Sequence, residues 1–177
     1  MKLLILSVLH AEFANFELPN GLDFDVAILA GDIVAPGRLV ARWARSPVRF
    51  GDKPIIQIAG NHEYYESVLD QEEAEMRRQA DVHCVHFLDC DEVVILGVRF
   101  LGCTLWTDFR LRIDNAGFAG QPVRLLTDRN RSMMECSRCL ADYSAIRVDD
   151  PRTSNTHASP GTDGHAANSQ AAPCMAS

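Results

Sequence analysis

Four polar residues stand where a metal-dependent reaction would need them. The apolar run 3–8 leads into His10, the run Val26–Ala30 into Gly31-Asp32, and the run 54–59 into Gly60-Asn61-His62-Glu63. Neutral imidazole suits Zn-, Fe- or Mn-class ions, and carboxylate and amide oxygens add harder ligands. An aspartate has two oxygens and can bridge two ions. Two ions about 3.5–4 Å apart can hold a hydroxide between them and clamp a phosphoryl group. His62 is then free to protonate a leaving oxygen. Any one of these residues alone is an ordinary turn or cap residue. Three such sites in the same position relative to a strand end point to a divalent-metal site.

Those residues need elements to hold them. Continuous apolar runs of this length suit strands buried on both faces, as in a parallel sheet. Ligands of such sheets bind outside the carboxyl ends of the strands, so the four polar residues should converge there. Gly31 and Gly60 permit the sharp turns. Between the second and third runs, residues 36–45 place apolar side chains at 39, 40, 43 and 44 with arginines elsewhere, a helical stripe. A second helix is expected over 66–80, where Glu72, Glu73 and Glu75 precede Arg77 and Arg78 in the order that suits the helix dipole. Strand, helix, strand, helix implies an α/β fold. The runs 83–88, 92–96 and 98–103 read as short strands joined by tight connections, with Gly97 marking a hairpin. Residues 133–143 have helical character.

Composition sets the outer bounds. The chain has 177 residues, 47% hydrophobic and 23% charged, with a net charge of −7. One soluble domain fits, whereas a collagen, a wholly disordered chain and a coiled-coil rod do not. The acidic balance argues against nonspecific nucleic-acid or anionic-membrane partners. It leaves a phosphate substrate open, because a bound metal reverses the local sign. Six cysteines, at 84, 90, 103, 136, 139 and 174, are too sparse for a disulfide scaffold and suit reduced thiols in a cytoplasmic protein. No run approaches the roughly 20 apolar residues that span a bilayer. The opening run has no convincing cleavage site after it and reads as a buried strand rather than a signal peptide. From Pro151 to Ser177 there is no Leu, Ile, Val, Phe, Trp or Tyr. Residues 149–177 are therefore expected to be a disordered tail behind a domain at 1–148.

The residues 6–10 (Leu-Ser-Val-Leu-His), 30–33 (Ala-Gly-Asp-Ile) and 59–63 (Ala-Gly-Asn-His-Glu) resemble the first three motifs of the calcineurin-like metallophosphoesterases, written Asp-x-His, Gly-Asp and Gly-Asn-His-Asp/Glu. The stretch 104–109 and the pair Asp142-Tyr143 resemble a bacterial subgroup of small phosphoesterases. The likeness covers roughly residues 1–148. It implies a β-sandwich flanked by helices and phosphoester hydrolysis by a metal-bridging hydroxide. It also implies His10 as a ligand of the first metal, Asp32 as the bridging carboxylate, Asn61 as a ligand of the second metal and His62 as the residue that assists the leaving group.

The chain departs from that pattern in two places. Val8 stands where the family has an aspartate ligand, so the first metal loses a donor atom and a negative charge. The family's further histidine and its Gly-His-x-His motif are not found; His157 and His165 lie in the aliphatic-poor tail, where Gly164-His165 is followed by Ala166-Ala167. The expectation is a domain truncated on its C-terminal side, with two weakly bound divalent ions (Mn, Fe, Zn or Co). The abrupt change in composition suggests an out-of-frame reading of a longer gene.

Other groups carry weaker chemistry. Cys136-Ser137-Arg138-Cys139 is a lone Cys-x-x-Cys, and with His83, Cys84, His86 and Cys90 it could be imagined as a zinc site. Sequential residues on a strand point to opposite faces, so incidental thiols are expected. Tyr64, Tyr65 and Trp106 follow strand ends and are expected in core or rim packing, with a cleft-lining role as the alternative. Arg110, Arg112, Arg124, Arg129 and Arg131 read as a basic loop region. The expected function is a metal-dependent phosphoester hydrolase, impaired in this chain, acting on a small-molecule phosphoester or nucleotide. The alternatives are a non-catalytic truncated remnant and a small zinc-stabilised interaction module built on Cys136 and Cys139.

Overall fold

In a computed structural model that describes residues 1–109 and 129–149, the three leading apolar runs become parallel strands. Strand β1 (Leu3–Leu6) pairs with β2 (Val26–Ala30), Leu3 opposite Val26, and β2 pairs with β3 (Ile55–Ile58), Ala27 opposite Ile55. A two-residue strand, β4 (His86–Phe87), adds to the far side of β3, giving the order β1-β2-β3-β4. The stripe at 36–45 folds as a 3-10 turn (Gly37–Leu39) leading into helix α1 (Val40–Ala44), and the second expected helix is α2 (Leu69–Val82).

The sheet's alternation decides what covers each face. Ala27, Leu29 and Ile55 bury against Val40, Ala41 and Ala44 of α1 and against Met76 and Ala80 of α2. Gly37 lets α2 approach this closely, since a Cβ there would collide with the Met76 sulfur. On the other face, Val26 and Ile56 bury with Leu88 and Ile95. Ile95 belongs to an antiparallel hairpin, β5 (Asp91–Ile95) and β6 (Val98–Gly102). Its turn has Leu96 at φ 50° and Gly97 at φ 78°, the paired positive angles that match hairpin twist. Helices on one face and strands on the other give the α/β architecture that the sequence implied.

Two expectations need correcting. Strand β1 is not buried on both faces: Leu4 and Leu6 pack on the main core, but Leu3 is 42% and Ile5 60% exposed. Among the described residues β1 is the sheet's edge strand, and the hairpin packs on β2 and β3. The helical region at 133–143 is two helices, α3 (Arg129–Cys139) and α4 (Asp142–Ala145), interrupted at Leu140-Ala141. After α4, Ile146 enters the main core and the Arg147 carbonyl accepts from Leu69 N–H at 2.8 Å. Arg110, Arg112, Arg124, His157, His165, Cys174 and the expected tail beyond Asp149 lie outside the described residues. Among the described residues no helix is long and apolar enough to cross a membrane.

Candidate metal centre

Beyond the last paired residues of the sheet, the loops after β1, β2 and β3 remain stitched together. Val8 N–H donates to the Gly31 carbonyl at 3.0 Å, Leu9 and His10 N–H to the Asp32 carbonyl at 2.8 and 3.0 Å, and Ala11 N–H to the Ile33 carbonyl at 2.9 Å. Gly31 (φ 83°) and Gly60 pack against each other; a Cβ on Gly31 would lie 2.9 Å from Gly60 Cα, and one on Gly60 would collide with Asp32 Oδ1. Glycine is therefore required at both positions to bring the second and third loops together.

The device that ties those two loops is Glu63. Its side chain is buried, and Oε2 accepts from Asp32 N–H and Gly60 N–H, both at 2.8 Å. Oε1 accepts from Ile33 N–H at 2.7 Å and Val34 N–H at 3.3 Å. Burial pushes its pKa up, while the amide donors of Asp32, Ile33 and Gly60 pull the other way. The sequence motif includes Glu63 but gave it no role. Its bonds fix the backbone at Asp32 and at Gly60, the residue before Asn61.

Into this frame the structure places the candidate residues. The His10 and His62 rings meet edge to face with centroids 4.3 Å apart. His62 also stacks on Tyr65, centroids 4.2 Å apart and planes inclined 23°. Asp32 lies beside them, its Oδ1 accepting from His62 backbone N–H at 3.2 Å. Asn61 is held by its amide nitrogen, which donates to Asp142 Oδ1 at 2.7 Å and to the Tyr65 hydroxyl at 3.2 Å. Tyr65 in turn donates to the same Asp142 oxygen at 2.6 Å. Burial first, and Asp142 second, push the Tyr65 hydroxyl up to about 12, so it stays a donor at neutral pH. The Asn61 carbonyl oxygen is left clear of these two bonds.

Glu12 is the residue that sequence reasoning missed. Its Oε1 lies 3.5 Å from His10 Nδ1 and 3.9 Å from His62 Nδ1. Both His10 Nδ1 and Glu12 Oε1 are buried without a hydrogen-bond partner. A separation of 3.5 Å is long for a hydrogen bond and suits two ligands flanking one ion. His10, Glu12 and His62 offer donor atoms all within 4.8 Å of one another. Two imidazoles and a carboxylate fit a divalent ion of the Zn, Mn or Fe class. The other Glu12 oxygen accepts from Ala35 N–H at 3.2 Å, which anchors the side chain. Glu12 follows His10 by two residues in a turn, where no periodicity marks its direction.

Position 8 offers no donor. Val8 is 62% exposed with φ 55°, left-handed backbone that a β-branched residue rarely adopts. Tyr64 belongs to the core, and Trp106 packs beside it at 6.0 Å between ring centroids. Tyr65, stacked on His62, is at the site itself. Cys136 and Cys139 lie on α3 and enter no metal-holding group among the described residues. A family model for the calcineurin-like phosphoesterases matches residues 3–166. No curated protein matches the chain.

Proposed function

The chain belongs to the calcineurin-like phosphoesterase family, and from that premise we propose that it hydrolyses small-molecule phosphoesters at a metal site weakened at position 8. His10, Asp32 and Asn61 are the proposed ligands, with Glu12 adding a carboxylate beside His10 and His62. When bound, divalent ions of this family's type supply an activated water and polarise the phosphoryl oxygens. The chain's own groups do the rest. Glu63 keeps the second and third loops at fixed separation, and Asp142 with Tyr65 orients Asn61. His62, stacked on Tyr65 with Nδ1 toward Glu12, has Nε2 left to give a proton to the leaving oxygen. A free phosphomonoester, phosphodiester or nucleotide fits a chain of net charge −7 better than a nucleic acid does.

The observation that carries this reading is the convergence of His10, Glu12 and His62 beside Asp32. The same convergence favours a second reading. If His62 joins His10 and Glu12 as a ligand, the chain holds one ion and no proton donor, and is a non-catalytic relative.

Hydrolysis of bis-p-nitrophenyl phosphate with added Mn²⁺ separates the two, run beside the Mn²⁺-induced shift in Tm. The first reading expects slow turnover that Val8→Asp raises about 10–100-fold, the scale on which ligand-shell changes act. It expects His62→Ala to abolish turnover and keep the Tm shift. The second expects no turnover in any variant and a Tm shift lost in His62→Ala and Glu12→Gln alike. Wild-type protein with no metal-induced shift would overturn both.

A further inference from the structure

The paired part of the β5–β6 hairpin ends at its base. Asp91 lies opposite Gly102. Two residues further out on each segment, Thr104 N–H donates to the Asp89 side chain at 3.0 Å, which keeps the two segments close. Between these points lie Cys90, in a bend with φ 51°, and Cys103, each adjoining the last paired residue of its strand. The two thiols lie within hydrogen-bond reach of each other. A disulfide spans Cα separations of about 4.4–6.8 Å. Both thiols are free, Cys90 exposed and Cys103 half-buried, and Cys103 acts on the Cys90 thiol by charge and hydrogen bonding.

We propose that Cys90 and Cys103 form a reversible dithiol–disulfide pair, oxidised by low-molecular-weight disulfides, that clamps the base of the hairpin beside the metal-site loop. The link to that loop is Thr104, next to Cys103. Its hydroxyl donates at 2.9 Å to the carbonyl of Ala59, the residue before Gly60-Asn61-His62. Exchange begins at the exposed Cys90. Its thiolate attacks one sulfur of the small disulfide, whose S–S bond breaks and releases one thiol. The Cys103 thiolate then attacks Cys90 Sγ in the mixed disulfide and expels the second thiol. The protein loses two electrons and two protons, and the small disulfide gains them. The neighbouring Asp89 charge, then burial, hold the Cys90 thiol above its ordinary value, so the exchange is slow near neutral pH. The clamp is independent of the hydrolase reading, since its readouts need no turnover.

The test treats the full chain with oxidised glutathione, alkylates the remaining thiols and maps the digest by mass spectrometry without reduction. The expected product is a cross-link between Cys90 and Cys103 that dithiothreitol reverses. In Cys103→Ser, Cys90 should instead carry glutathione. Oxidation should also raise the urea midpoint of the wild type and leave that of Cys103→Ser unchanged. A wild type with glutathione on Cys90 and an alkylated Cys103 would overturn the proposal. So would a cross-link confined to Cys136 and Cys139, or an oxidised form no more resistant to urea than the reduced one.

Discussion

At position 8 a β-branched side chain occupies left-handed backbone, φ 55°, a conformation that costs an L-residue about 1–2 kcal/mol. Asp and Asn enter this region several times more readily. The local backbone thus suits Asp or Asn better than valine, and on the proposed reading Val8 costs a ligand as well as conformational ease. The two losses can be measured apart. Val8→Gly should raise the urea unfolding midpoint, by up to about 1 kcal/mol in stability, without improving Mn²⁺ affinity. Val8→Asp should raise both. A Val8→Gly protein less stable than wild type would show that the valine's contacts outweigh its strain. His10, Asp32, Asn61 and His62 could all be picked out from their place after apolar runs. Glu12 could not, because only the fold of the loop after β1 turns its carboxylate toward both imidazoles.

The elements around the site were legible where the apolar pattern was long and harder to read where it was short. β2 occupies the residues expected from VAILA. β4 shrinks to two residues, because only His86 and Phe87 find partners on β3. His86 in that strand is held below its ordinary pKa of 6.5 by burial first and the Arg45 charge second. The unfolded chain therefore takes up this proton first as pH falls. Its contribution to stability is present at neutral pH and lost as pH drops below about 6.5 toward the folded value. His86→Gln should flatten this part of the stability profile, measured by urea unfolding between neutral and mildly acid pH. An unchanged slope would assign the acid sensitivity to other groups. α3 and α4 read as one helix in sequence. They separate because Tyr143 and Ile146 turn into the protein while α3 buries no residue.

Among the described residues, helices pack on one face of the sheet and a hairpin covers part of the other. Leu3 and Ile5 stay exposed on the edge strand, next to the Val26 and Ile56 that the hairpin does bury. An apolar edge of this kind invites strand pairing between copies. Ile5→Thr keeps a β-branched residue in the strand and should reduce self-association in sedimentation or light scattering at high concentration. Its effect on stability should stay within about 0.5 kcal/mol, as for an exposed position. A large loss of stability would show that Ile5 is covered in solution.

The order of strands and helices, the three turn motifs and the chemistry of their residues were written in the sequence, because each depends on neighbours a few positions apart. The contacts between loops were not. That Glu63 binds both neighbouring loops, that Asp142 holds Asn61 from 81 residues away, and that Glu12 faces two histidines depend on where the sheet brings separate strand ends together. The same holds for the exposed side of β1. An apolar run specifies burial, but only the extent of the opposing layer decides which of its faces is covered.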